Sequence, residues 1–331
     1  MEAGQQYKMH LKVLIIGSGQ LGSRHLQGVV RNPLVSEVWV IDEWENSLSL
    51  ARDRSAEIDH NKMVHFSTTA SDLPDELDFC IISGTANVRL KHLKMALESA
   101  NIKRLLLEKI LFSSPNDYEE AGQLRDRFPT MNVWVNHPRR MYGFYSAAKE
   151  VMRGFSERVF SVQVAGANWG LACNTLHFID IWSYLRGATA ISVDFSNSTN
   201  VVVPSKRAGF IEVFGSVSVL FSNGDHMNLK SDDADFTGMN FSFSDASGAF
   251  SISEMESLKL VDLSSNVVLT EGRFQYQSEL TDVLISEIIN RGSTELTTWE
   301  QAFDLHHLFV KSALGWYQRV KDINATYIPI T

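Results

Sequence analysis

Gly17-Ser18-Gly19-Gln20-Leu21-Gly22 falls between two segments of opposite character. Ahead of it, Leu11–Ile16 is a short, branched, apolar run that reads as a buried strand. Behind it, Leu21–Val30 reads as a helix that stops near Asn32-Pro33. Glycines at this spacing and in this setting restrict the fold sharply. Gly17 permits a tight turn, Gly19 lets a diphosphate touch the main chain, and Gly22 lets the helix pack on the strand. The helix start, with Gln20 and Leu21 leading into it, offers free N–H groups and the positive end of its dipole. Asp42 ends the next strand-like run, Glu37–Ile41, about 20 residues beyond the last glycine, where a carboxylate accepts the two ribose hydroxyls of a dinucleotide. Glu43 follows, and the nearest downstream arginine is Arg52. A 2′-phosphate would therefore meet negative charge, so the spacing favours NAD over NADP.

The alternation continues. Met63–Phe66, Phe79–Ile82, Arg104–Leu107 and Met131–Val135 read as strands; Asn46–Arg52, Asn87–Ser99 and Asp117–Arg127 read as helices. That order predicts βαβ crossovers and a parallel sheet covered on both faces. After Pro138 the texture changes. Helical segments at Tyr142–Gly154 and Thr175–Leu185 flank a strand-like Val159–Ala165. Ile191–Leu269 then carries short alternating runs (Phe210–Phe214, Val217–Phe221, Phe241–Phe243) with turns at Asn223-Gly224 and Ser247-Gly248. Helices at Glu279–Asn290 and Glu300–Lys321 close the chain. The expected organisation is an α/β domain over residues 1–137 and an α+β domain with a largely antiparallel open sheet over 138–331.

Composition excludes several classes of function. Lys plus Arg number 30 against 39 Asp plus Glu, a net charge of −9, so nucleic acid gains nothing from counterion release. Two cysteines, Cys80 and Cys173, make no metal-binding spacing, and no other metal motif is present. The apolar run after the polar start, Met1–Lys12, is too short to span a membrane or to form a secretion signal, which suggests a cytoplasmic protein.

Three motifs in order give the chain a resemblance to the Gfo/Idh/MocA oxidoreductases. They are the fingerprint continued as Gly22-Ser23-Arg24-His25, the strand end Leu105-Leu106-Leu107-Glu108-Lys109-Ile110, and Leu176-His177-Phe178-Ile179-Asp180 as a His-x-x-Asp. The resemblance implies a Rossmann-type first domain and a nicotinamide in the cleft between it and an open-sheet domain. It also implies hydride transfer between NAD(P) and a sugar, cyclitol or nucleotide-sugar derivative. Glu108 would lie near the nicotinamide ribose, Lys109 would hydrogen-bond the reacting oxygen, and His177 would exchange the proton. The loop Ser83-Gly84-Thr85, with Asn87, would contact the nicotinamide half.

The sequence departs from that pattern twice. The residue after Glu108-Lys109 is Ile110 where the family has proline, so a trans peptide bond is expected there. Four residues before His177 stands Cys173, where many members carry an acid.

Asp180 shares a helix face with His177 and is a candidate substrate contact. So are Asn168 and Trp169 ahead of that helix, and Arg139 and Arg140, whose guanidinium groups suit a substrate carboxylate or phosphate. His306 and His307 diverge by about 100° on a helix and make no paired metal site. Two other readings stay open: a cofactor-binding regulatory or scaffold protein that has lost hydride chemistry, and an epimerase or dehydratase that retains its NAD. The resemblance also implies a homodimer or homotetramer.

Overall fold

The computed structural model describes residues 10–234, 238–254 and 256–331. The chain forms two compact units that interleave along the sequence. The first takes the described residues up to Glu108, then Gln123–Asn136 and Gln275–Glu295. The second takes Lys109–Gly122, His137–Phe274 and Leu296–Thr331. The sequence suggests one crossing after residue 137; the chain in fact passes between units first at the Glu108–Lys109 bond.

In the first unit, β1 (Leu11–Ile16), β2 (Val35–Ile41), β3 (Met63–Ser67), β4 (Phe79–Ile82), β5 (Arg104–Glu108) and β6 (Asn132–Asn136) pair in parallel. Their spatial order is β3-β2-β1-β4-β5-β6. Val13–Ile15, Phe79–Ile82 and Leu106–Leu107 are essentially inaccessible, as strands covered on both faces require. Helices α1 (Gly22–Arg31), α2 (Glu45–Ala56) and α3 (Ala86–Ser99) make the crossovers, and α4 (Pro115–Asp126) lies between β5 and β6 in the chain. The strand order reverses between β1 and β4, and in open sheets of this kind ligands bind beyond the carboxyl ends of the strands at that switch point.

The late helix α7 (Gln277–Arg291) belongs to the first unit because it packs on α1. The approach is close: a Cβ on Gly28 would lie 2.5 Å from the Ser278 carbonyl oxygen. Asn32 secures it by donating from Nδ2 to the Asp282 carbonyl and carboxylate and to Ser286 Oγ, each at 2.8 Å.

The second unit is an eight-stranded sheet. Its strands are β7 (Ser161–Ala167), β8 (Ala190–Asp194), β9 (Gly215–Phe221), β10 (His226–Asp232), β11 (Gly238–Asp245), β12 (Gly248–Glu254), β13 (Leu258–Asp262) and β14 (Val267–Gly272), in the order β8-β9-β10-β7-β11-β12-β13-β14. Only β7 and β10 run parallel; the other pairings are antiparallel. One face buries Val162, Val164, Met227, Leu229, Phe241 and Phe243. On it α6 (Leu171–Arg186) sets Phe178 and Trp182 edge-on against Phe241, with ring centroids 5.7 and 6.2 Å apart. Burial of such aromatic side chains, about 1.5–3 kcal/mol each, fixes the helix on the sheet. Helices α5 (Gly143–Arg153) and α8 (Trp299–Lys321) complete the unit. The run expected as a strand at Phe210–Phe214 is shorter: Ile211–Glu212 pairs with Val203–Pro204 in a separate ribbon.

Candidate active site

The loop after β1 has the stereochemistry its glycines suggest. Gly17 adopts φ +86°, and a Cβ there would press 2.7 Å from the Gly84 nitrogen in the loop after β4. At Gly22 a Cβ would fall 1.8 Å from the Gly17 carbonyl oxygen. At Gly19 it would meet nothing within 4 Å. The outer glycines are therefore needed for packing within the protein, whereas the middle one faces open space.

No side chain caps the amino terminus of α1, and its first turn holds no acid, so its dipole is uncompensated. Asp42 is bound to the same loop: Ser18 donates to its Oδ2 from the main chain at 2.6 Å, and Trp44 donates to Oδ1 at 2.9 Å. Gln20 and Leu21 form the turn into the helix. Arg54 of α2 donates to the Gln20 carbonyl at 2.8 Å, to Gln20 Oε1 at 2.6 Å and to Ser23 Oγ at 2.7 Å. Sequence reasoning missed Arg54. Arg52, the nearer arginine, pairs with Glu45. Thr85 and Asn87 are joined by an Oγ1–Oδ1 hydrogen bond of 2.6 Å at the start of α3.

Glu108, at the end of β5, is only 4% exposed. Its Oε1 faces His25 Nε2 at 2.8 Å and accepts from Asn136 at 2.5 Å. His25 Nδ1 meets Thr281 Oγ1 at 2.8 Å, and that hydroxyl donates to the Gln277 carbonyl. The Arg-His after the fingerprint thus contributes a buried partner for Glu108, a role the linear motif does not reveal.

Lys109 opens the second unit. Its peptide bond to Ile110 is cis, where the sequence suggests trans; the local preference was the only term visible there, and Ile110 is wholly buried in its tertiary setting. Lys109 Nζ donates to the Cys173 carbonyl at 2.8 Å and lies 3.6 Å from Cys173 Sγ. Cys173 and His177 stand four apart on α6, so they share a helix face. The Nδ1 of His177 is buried and has no hydrogen-bond partner among the described residues. Burial holds the His177 pKa well below the ordinary histidine value, reinforced by the charges of Lys109 and Arg139.

His137 stands edge-on to His177, its ring centroid 5.8 Å away, and its Nε2 meets His306 Nε2 at 2.8 Å. The Leu111 main-chain N–H donates to His306 Nδ1. His307 faces away and stacks on Tyr118 at 5.0 Å. Among the described residues no three His, Cys, Asp or Glu side chains gather to hold a metal ion.

The other expected substrate contacts have partners within the protein. Arg140 grips Asp180 through two bonds of 2.9 and 2.7 Å, and Thr297 donates to the same carboxylate at 2.7 Å. Arg139 makes two 2.7 Å bonds to Glu254, which also accepts from Tyr145. A substrate anion would find both guanidinium groups already engaged. Trp169 donates to the Lys230 carbonyl at 2.8 Å, and Asn168 donates to the Ala234 carbonyl.

These features define a fold class: a doubly wound dinucleotide-type unit joined to an open, mainly antiparallel sheet. No family model and no curated protein matches the chain by sequence. Solved structures do match by fold. An oxidoreductase from Agrobacterium radiobacter, in complex with NAD+, L-tartaric acid and magnesium, superposes with TM-score 0.69 at 13% identity, over 93% of this chain and 97% of its own. Scyllo-inositol dehydrogenase from Lactobacillus casei with NAD(H) and scyllo-inositol gives 0.66 at 13%, over 94% and 97%. UDP-N-acetylglucosamine 3-dehydrogenase from Acidithiobacillus ferrooxidans gives 0.65 at 13%, over 93% and 97%. No helix among the described residues is long and apolar enough to cross a membrane.

Proposed function

We propose that the protein is an NAD-dependent dehydrogenase of a sugar, cyclitol or related polyol. The observation that carries this reading is the turn at Gly17–Gly22. Both outer glycines are pressed against backbone, the middle one faces open space, and the helix behind it has an uncapped amino terminus. That is a cradle shaped for a diphosphate. When bound, a nicotinamide dinucleotide supplies the hydride acceptor or donor.

The chain's own residues divide the remaining work. The main chain of Gly19–Gly22 binds the phosphates. Asp42 accepts from the adenosine ribose with the lone pairs that Ser18 and Trp44 leave free, and Thr85 and Asn87 contact the nicotinamide half. Asp42, followed by Glu43, favours NAD over NADP.

Lys109 and His177 are the proton-handling pair. An ammonium on Lys109 stabilises negative charge developing on the reacting oxygen. His177, kept neutral by burial, has an imidazole ready to accept the proton. The fold likeness to sugar and cyclitol dehydrogenases supports this class of substrate. Calorimetric titration with NAD+, NADH and the NADP forms tests the reading, followed by NADH formation across a panel of polyols. Absence of binding by every pyridine dinucleotide refutes it.

A further inference from the structure

The turn after β1 is held by a residue from outside it. Gln27, buried on α1, donates from Nε2 to the Arg54 carbonyl at 3.1 Å and to Glu57 at 2.7 Å, which fixes the end of α2 against α1. From there the Arg54 side chain returns to the turn. Its Nη1 donates to the Gln20 carbonyl at 2.8 Å and to Ser23 Oγ at 2.7 Å, and its Nη2 donates to Gln20 Oε1 at 2.6 Å. A planar guanidinium carries its donors in a rigid fork that spans such a set of acceptors; a lysine ammonium does not.

The Ser23 hydroxyl spends its own hydrogen on the Gly19 carbonyl, 2.7 Å away, and so accepts from Arg54. The Gly19 carbonyl also takes the Ser23 main-chain N–H at 3.0 Å. Both carbonyls at the top of the turn are therefore committed to the protein, that of Gln20 by Arg54 directly and that of Gly19 through Ser23. In a trans peptide the N–H points opposite to the carbonyl of the same plane. Fixing the Gly19 and Gln20 carbonyls thus turns the N–H groups of Gln20 and Leu21 the other way. Neither N–H donates to an acceptor among the described residues. Gly19, beside them, is where an added Cβ would meet nothing within 4 Å.

We propose that Arg54 is the positioning residue of the diphosphate site: it sets the two peptide planes whose N–H groups receive the phosphate oxygens. This assignment rests on the dinucleotide reading of the turn and adds what holds the turn ready before a ligand arrives. Without Arg54 the Gln20 carbonyl is free to rotate toward the space a phosphate enters, and an acceptor would then face an anion.

Two readouts test this, one of them without any ligand. In isotope-labelled protein free of nucleotide, Arg54→Met should move the Gln20 carbonyl carbon resonance upfield, the sign of a hydrogen bond lost at that oxygen. In titrations with NADH, followed by fluorescence, and with ADP, followed by calorimetry, the same variant should raise Kd about tenfold for both, since both carry the diphosphate. Arg54→Lys keeps the charge but not the fork, so its Kd should stay about fivefold or more above wild type.

A Kd raised less than about twofold by Arg54→Met overturns the proposal. So does recovery of wild-type affinity in Arg54→Lys, because charge alone would then suffice, and so does a Gln20 carbonyl resonance that stays in place. Arg54→Lys serves alone, by the same two readouts, if Arg54→Met does not fold. A wild-type chain that binds ADP with this dependence on Arg54 but binds no pyridine dinucleotide would refute the dehydrogenase reading and uphold the role of Arg54. Binding of neither ligand by wild type overturns both.

Discussion

Two alanine substitutions in one loop, Gly19→Ala and Gly22→Ala, separate what the loop does for the fold from what it does for a ligand. At Gly22 the added methyl would lie 1.8 Å from the Gly17 carbonyl oxygen and 2.5 Å from Ser83 Oγ. The hydroxyl can rotate away, but the carbonyl belongs to the turn and cannot move without reshaping it. Overpacking of this sort costs about 1–3 kcal/mol, occasionally more. For domains of 150–250 residues that corresponds to a Tm lower by roughly 2–12 °C. At Gly19 the same methyl meets nothing within 4 Å, so stability should stay within about 0.5 kcal/mol of wild type. Both variants should nevertheless lose affinity for NADH, Gly19→Ala because its methyl stands where the diphosphate must approach. A loss of about 3 kcal/mol, roughly a hundredfold in Kd, is expected from exclusion of close main-chain contact. Differential scanning calorimetry and fluorescence titration with NADH measure the two quantities separately. A Gly19→Ala protein that binds NADH as wild type does, with an unchanged Tm, would refute the argument that this space receives the dinucleotide.

Three further outcomes are expected. Asp42→Ala removes the acceptor for Ser18 and Trp44, so NAD affinity should fall about tenfold to a hundredfold, with a smaller loss for NADP, measured by calorimetry. Lys109→Ala should leave NADH binding within about threefold of wild type while lowering turnover about 10²–10⁴-fold on a working polyol substrate, the range of positioned acid–base groups. His177→Asn should lower turnover on the same scale. In wild type the pH–rate profile should show no limb from His177 near pH 6.5, because its imidazole stays neutral well below that value.

Legibility in the sequence followed the physical signal. The strands of the first unit are unbroken apolar runs because both faces are covered, so Leu11–Ile16 and Phe79–Ile82 were plain. The second sheet buries one face, and the alternate positions on strands such as His226–Asp232 are His, Asn, Lys and Asp, so that strand does not stand out as an apolar run. Gly17 and Gly22 were legible because turn stereochemistry acts over a few residues, and Asp42 because it stands at a fixed spacing from the last glycine, at the end of the next strand. Arg54, His306 and Glu212 were not, because each reaches its partner from a distant segment. Glu212, whose carboxylate accepts from the main-chain N–H of Ala172, lies 40 positions from that residue, and nothing in Ile211–Glu212 marks it. Arg139 and Arg140 show the converse: a local Arg-Arg pair suggested a ligand, whereas Glu254 and Asp180, far along the chain, take up both charges.

The buried histidines give the last expectation, and hydrogen bonding sets its sign. The Leu111 N–H donates to His306 Nδ1, so that nitrogen carries no proton and His306 must bear one on Nε2. Its Nε2–H then points at His137 Nε2, 2.8 Å away, which must accept. His137 therefore keeps its single proton on Nδ1, 3.7 Å from the Asp180 carboxylate, and a second proton would break the imidazole–imidazole bond. Burial, chiefly, and the charges of Arg140, Lys109 and Arg139 drive the His137 pKa well below 6.5 in the same direction. Below pH 6.5 the unfolded chain binds a proton at this histidine and the folded one does not, so acid favours unfolding. The contribution of His137 is complete above about pH 6.5 and is lost as pH falls toward its folded-state value, by up to about 1.4 kcal/mol per pH unit. His137→Gln retains an acceptor for His306 but no titrating ring. Urea unfolding between pH 7.5 and 5 should show a stability slope shallower by close to one proton in that variant, and an unchanged slope would mean that His137 titrates in the folded protein.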